Sequence, residues 1–92
     1  MEVSIEEMKD NEAILKVTGE DISVMYILQH ELLSSKKVEY AGFALKHPLT
    51  LEYEFRIVTE SGSLLNALVD SAKSAQEYVE DLAERVKSKV RD

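Results

Sequence analysis

The sequence predicts a two-layer α+β fold: an antiparallel four-stranded sheet with two helices on one face, in the order β-β-α-β-β-α. Three observations lead there. Leu51, Tyr53, Phe55 and Ile57 alternate with Glu52, Glu54 and Arg56, the two-residue period of a half-buried strand. Residues 22–33 carry apolar side chains at helical spacing. In the last third of the chain Leu65, Ala72, Val79 and Val86 recur every seven residues, with Leu68, Ala75 and Leu82 between them, which is a heptad seam whose next slot is Lys89.

The first element runs from Glu2 to Met8, where Val3 and Ile5 alternate with Glu2, Ser4 and Glu6. Lys9-Asp10-Asn11-Glu12 has turn composition, and Ala13, Leu15 and Val17 then alternate with Glu12, Ile14, Lys16 and Thr18. A hairpin joins the two strands most simply. Gly19-Glu20-Asp21 breaks the pattern, and Asp21 is placed to cap a helix over Ile22–Leu33. On that helix Met25, Leu28 and Leu32 share a face that Val24 and Ile27 widen beyond what one exposed helix needs, so two neighbours are expected for it. Ser34-Ser35-Lys36-Lys37 is a polar loop. Val38–Leu45 reads as a third strand, with Val38, Tyr40 and Gly42 on one side and, after an irregularity, Ala41, Phe43 and Leu45 on the other, stopped by Lys46-His47-Pro48 because proline cannot donate to a ladder. After the fourth strand, Thr59-Glu60-Ser61-Gly62 turns the chain into a final helix with Ser63 as its N-cap.

A helix from Ser63 to Val90 would be about 40 Å long at about 1.5 Å per residue. A compact domain of this chain length is only about 30 Å across, from a radius of gyration of roughly 12 Å. The distal seam at Val79, Leu82 and Val86 is therefore expected to project beyond the body and to need a partner helix. Small residues at Ala72 and Ala75 would let that helix approach closely.

Ninety-two residues make a single domain spanning 1–92, with one modest core. The apolar share of 45% beside 32% charged residues is that of a globular chain. No cysteine is present, which excludes disulfides and thiolate chemistry. The first ten residues lack the apolar block of a signal peptide, and the longest apolar run, Val24–Leu28, is far short of a membrane span. A soluble, cytoplasmic protein is expected. The net charge of −7 argues against direct contact with nucleic acid, whose affinity comes largely from neutralised phosphates. The late basic residues Arg85, Lys87, Lys89 and Arg91 complement a helix C-terminus.

Residues able to do chemistry are few. His30 and His47 fall in different elements without the spacing of a helical metal site, and three glycines are too few for a phosphate-cradling loop. Glu77, Glu80, Asp81 and Glu84 fall on the polar side of the last helix, Asp81 four residues before Arg85 as a surface pair. No catalytic residue, metal ligand or cofactor-binding residue is assigned.

Three segments resemble one family. Gly19-Glu20-Asp21-Ile22-Ser23-Val24-Met25-Tyr26-Ile27-Leu28 is similar to its Gly-Glu-Asp-His-Thr-Leu-Gly-Asn-Leu-Leu signature, with Ile22, Val24, Met25 and Tyr26 standing where the family has His, Leu, Gly and Asn. Val38–Phe43 followed by Lys46-His47-Pro48-Leu49 resembles its third strand and His-Pro-Leu exit, and Arg56–Thr59, Gly62 and Asn66-Ala67-Leu68 resemble its last strand and final helix. The family is the small alpha-like subunit of multisubunit RNA polymerases, archaeal subunit L and its eukaryotic counterparts.

The resemblance implies a non-catalytic subunit of a nucleotidyltransferase complex, in the cytoplasm with the nucleoid. It would form a heterodimer with the larger alpha-like RNA polymerase subunit, which in archaea is the D-type polypeptide. That pair would be the platform on which the two large catalytic subunits assemble. The implied interface is Met25, Leu28 and Leu32 on the first helix with Leu68, Ala72, Ala75, Val79, Leu82 and Val86 on the last. The family motif falls on Gly19, Glu20, Asp21, His47, Pro48 and Leu49.

Two alternatives stand beside this. One is a free-standing homodimer using the last helix against itself. The other is an enzyme like the pterin carbinolamine dehydratases, which share the fold and a His-Pro before an aromatic strand. Here Lys46 and Glu60 occupy the positions of that enzyme's further histidines, so its proton-transfer groups are missing.

Overall fold

The computed structural model describes residues 1–60, 64, 66–67 and 77–90. Strands β1 (Glu2–Met8) and β2 (Glu12–Thr18) precede helix α1 (Ile22–Leu33); β3 (Val38–His47), a 3-10 turn at Pro48–Thr50 and β4 (Glu52–Thr59) follow, and α2 spans Glu77–Val90. The sheet order is β1-β2-β4-β3, antiparallel throughout. The radius of gyration is 11.9 Å and the longest dimension 36 Å.

β4 is one of the two central strands, and its helix-facing side is buried along its whole length. Tyr53, Phe55 and Ile57 point toward the helices and pair with Val17, Leu15 and Ala13 of β2, all six without exposed surface. On its other flank Phe55 pairs with Phe43, the rings 5.8 Å apart and stacked at 22°. The opposite sheet face is polar and laced by ion pairs, Arg56 with Glu12 and Lys46 with Glu54 at 3.0 Å. The β1–β2 hairpin closes with the Lys9 N–H donating to the Glu12 carbonyl at 2.8 Å. That turn also receives the end of β4: the Thr59 N–H donates to the Asn11 carbonyl and the Leu64 N–H to the Asp10 carbonyl.

α1 begins at Asp21, whose carboxylate accepts the Ser23 hydroxyl at 2.8 Å. That bond, followed by the backbone N–H groups of Ser23 and Ile22, holds the Asp21 carboxyl below its usual pKa. The sharp entry depends on Gly19, at φ +84° in the left-handed region that a Cβ disfavours. A Cβ there would meet nothing within 4 Å, so the penalty of a side chain is conformational only. Gly19→Ala is expected to lower stability by about 1–2 kcal/mol without changing the fold, read as a shifted urea midpoint at constant slope.

Three sequence expectations are corrected here. β3 continues to His47, and a register break between Val38 and Tyr40 turns Val38 into the core while Tyr40 stays exposed, so the two do not share a face. Leu51 lies outside β4: it closes the 3-10 turn with φ 48°, and its side chain is exposed.

The third correction concerns the seam. Val79, Leu82 and Val86 have no exposed surface and belong to the chain's own core. The reason lies in how the helices share the sheet. α1 packs over β3, which leaves Val3, Leu15 and Val17 on the β1–β2 side to be covered, and α2 lies against β1 and α1 to cover them. Where α2 meets α1, the Glu31 carboxylate accepts the backbone N–H of Val79 at 3.1 Å. Leu65, Leu68, Ala72 and Ala75, with the expected Ser63 cap, lie outside the described residues.

Candidate partner interface

Of the nine residues expected at an interface, six are core. Met25, Leu28, Leu32, Val79, Leu82 and Val86 are fully enclosed within the single chain, so none presents a surface to a partner in this structure. Leu68, Ala72 and Ala75 lie outside the described residues. The enclosure follows from chain length: one modest sheet has to be covered by two helices, and these are the side chains that cover it.

The structure instead exposes the other side of α1. Its buried side is Val24, Met25, Leu28 and Leu32. Ile22, Tyr26 and Leu33, four and seven residues apart, form a second apolar stripe turned away from the core, with Tyr26 58% and Leu33 49% exposed. Unusual apolar breadth on this helix was the signal available in the sequence. Assigning the two sides needed the packing direction, which residues 22–33 alone do not specify.

The stripe runs onto β3. The Tyr26 ring meets Phe43 edge-on with centroids 5.0 Å apart, and Phe43 meets Tyr53 and Phe55 behind it. Leu45, two residues along from Phe43 and opposite Tyr53, is 40% exposed. Gln29, on the same side of α1, donates from Nε2 to the Ala41 carbonyl at 3.0 Å and fixes the helix against the strand. Anchoring from beneath holds Tyr26 in place, which suits an aromatic contact that a partner can dock on with little loss of side-chain freedom.

The motif residues serve the frame. Gly19 makes the turn into α1, the Glu20 carboxylate holds the Met1 ammonium at 3.2 Å, and Asp21 stands at the N-cap position with its carboxylate on the Ser23 hydroxyl instead of a capping bond. His47 Nε2 stands 3.6 Å from the Glu52 carboxylate, Pro48 opens the 3-10 turn, and Leu49 is fully exposed at its tip. Asp81 and Arg85 form the expected surface pair at 3.0 Å. Among the described residues no group of three or more His, Cys, Asp or Glu is arranged to hold a metal ion, and no helix is long and apolar enough to cross a membrane.

Comparison with known proteins agrees with an interface domain. Residues 12–85 match the RNA polymerase Rpb3/Rpb11 dimerisation domain. The chain is 33% identical over 73 residues to the RNA polymerase II subunit RPB11 of Schizosaccharomyces pombe, covering 78% of this chain but only 59% of that protein's length. It is 32% identical to the RNA polymerase subunit Rpo11 of Sulfurisphaera tokodaii, covering 96% of both chains. In fold it is similar to the crystal structure of RNA polymerase subunit L from Thermoplasma acidophilum, with a TM-score of 0.65, 18% identity, and 97% of this chain and 88% of that one covered. The two-helix, four-strand frame, its outward apolar stripe and the match across most of the sequence lead to one conclusion: the chain belongs to the Rpb11/L family of RNA polymerase subunits, built on the Rpb3/Rpb11 dimerisation domain.

Proposed function

We propose that this protein is the small alpha-like, non-catalytic subunit of a DNA-directed RNA polymerase. It pairs with the larger alpha-like subunit, and the pair forms the platform on which the large catalytic subunits assemble, in the cytoplasm with the nucleoid. The observation that carries this reading is the outward stripe of Ile22, Tyr26 and Leu33, continued by Phe43 and Leu45, on a chain whose family match is a dimerisation domain. A helix with one apolar side in its own core and a second facing solvent is suited to laying that second side against another chain. The net charge of −7 supports a protein partner over a nucleic-acid one.

The test is to mix the purified chain with the larger alpha-like subunit from the same source and measure mass by light scattering after size separation. A one-to-one complex is expected. If the two elute separately at concentrations where both are folded, the pairing is wrong.

A further inference from the structure

The two edges of the sheet are built differently. β1 carries Glu2, Glu6 and Glu7 and a register break between Ile5 and Glu7, features that keep a foreign strand from pairing. β3, the opposite edge, reads Tyr40-Ala41-Gly42-Phe43-Ala44-Leu45 without a charge, whereas every six-residue stretch of the other three strands contains one. Register breaks fall on both sides of this run, at Val38/Tyr40 and Leu45/His47, so the regular part of the strand and its uncharged part coincide. Tyr40, Ala44 and Leu45 are exposed and Phe43 is half-buried. The Tyr40 ring lies over Gly42, where a Cβ would collide with it, so the aromatic covers the backbone that glycine leaves bare. Such an edge is a template for another strand.

We propose that β3 pairs antiparallel with β3 of a second copy about a two-fold axis through Phe43, joining two four-stranded sheets into one. An axis perpendicular to the sheet keeps every residue on its own face. Centred on Phe43, it sets Ala41 against Leu45 on the helix side and Gly42 against Ala44 on the open side, apolar or small with the same. Glu39 and Lys46, the extra residues at the two breaks, fall outside this ladder, so the pairing rests on Ala41 to Leu45. Moving the axis to Gly42 would carry Leu45 out of the uncharged run, toward Glu39 at the break. The second copy fits because the uncharged run complements itself. This pairing leaves Ile22, Tyr26 and Leu33 of α1 free for the larger alpha-like subunit, while Phe43 and Leu45 belong to both surfaces, so variants on α1 distinguish the two.

Sedimentation of the full chain alone, from micromolar to near-millimolar concentration, tests it. A monomer–dimer equilibrium is expected, with amide exchange across Tyr40–Leu45 slowing as concentration rises. Ala44→Lys places two like charges close across the paired edge while lying opposite its own chain's Glu54, so it should keep the melting temperature and raise the dimer dissociation constant at least tenfold. Leu33→Lys should leave self-pairing unchanged. A chain monomeric at every concentration, or a dimer that survives Ala44→Lys, overturns the proposal, as does a dimer abolished by Leu33→Lys, which would place self-association on the helix.

Discussion

Leu82→Glu is expected to unfold the isolated chain. Leu82 has no exposed surface and sits in the α2 seam between Val79 and Val86, inside the core that α2 forms with α1 and β1. Removing a buried leucine alone costs about 2–5 kcal/mol. A carboxylate in its place either stays charged and unpaired or takes up a proton to avoid it, which adds several kcal/mol. A domain of this size has roughly 5–14 kcal/mol to lose in all. The far-ultraviolet signal of the purified variant should therefore resemble that of a largely unfolded chain, whereas Glu84→Ala, on the exposed side of the same helix, should shift stability by no more than about 0.5 kcal/mol. A Leu82→Glu chain that kept its urea midpoint and lost only binding to the larger alpha-like subunit would restore the seam as an interface.

That variant separates what could be read from the sequence from what could not. Alternation in Glu2–Met8 and Glu12–Thr18 marks strands because each lays one face on a core, and the observed spans agree; the fourth strand, read over Leu51–Ile57, lies instead at Glu52–Thr59. α1 begins and ends where Asp21 and the Ser34-Ser35 loop place it. The heptad spacing of Val79, Leu82 and Val86 correctly marked an apolar helix face but not what would cover it. Periodicity records that a side is buried, and sheet and partner leave the same pattern. Comparing rod length with globule size pointed to a partner, and the comparison failed because α2 lies across the β1–β2 side of the sheet, which α1 leaves open. The register breaks that turn Val38 inward and bound the flat part of β3 come from the pairing with β4, so the sequence marked an irregularity in this strand but not where it falls. Gly19 was legible as a breaker, and the structure adds the reason, its positive φ.

On the outer side of α1 the expectation is the reverse. Leu33→Lys with Ile22→Lys should leave the fold intact, because both side chains are exposed, at 49% and 39%, and a lysine there can lay its stem on the surface and keep its ammonium in water. Each should change stability by about 0.5 kcal/mol or less. Against the larger alpha-like subunit the same pair should cost about 2 kcal/mol or more, roughly 30-fold in Kd, since apolar contacts at both ends of the stripe would be lost and two ammonium groups would have to be desolvated there. Tyr26→Ala should act in the same direction while leaving Phe43 packed on Phe55. Titration calorimetry of each variant against that partner, beside thermal melts of the variant alone, gives both numbers. Loss of binding with unchanged melting places the partner on this stripe. Unchanged binding by the double variant would remove α1 from the interface.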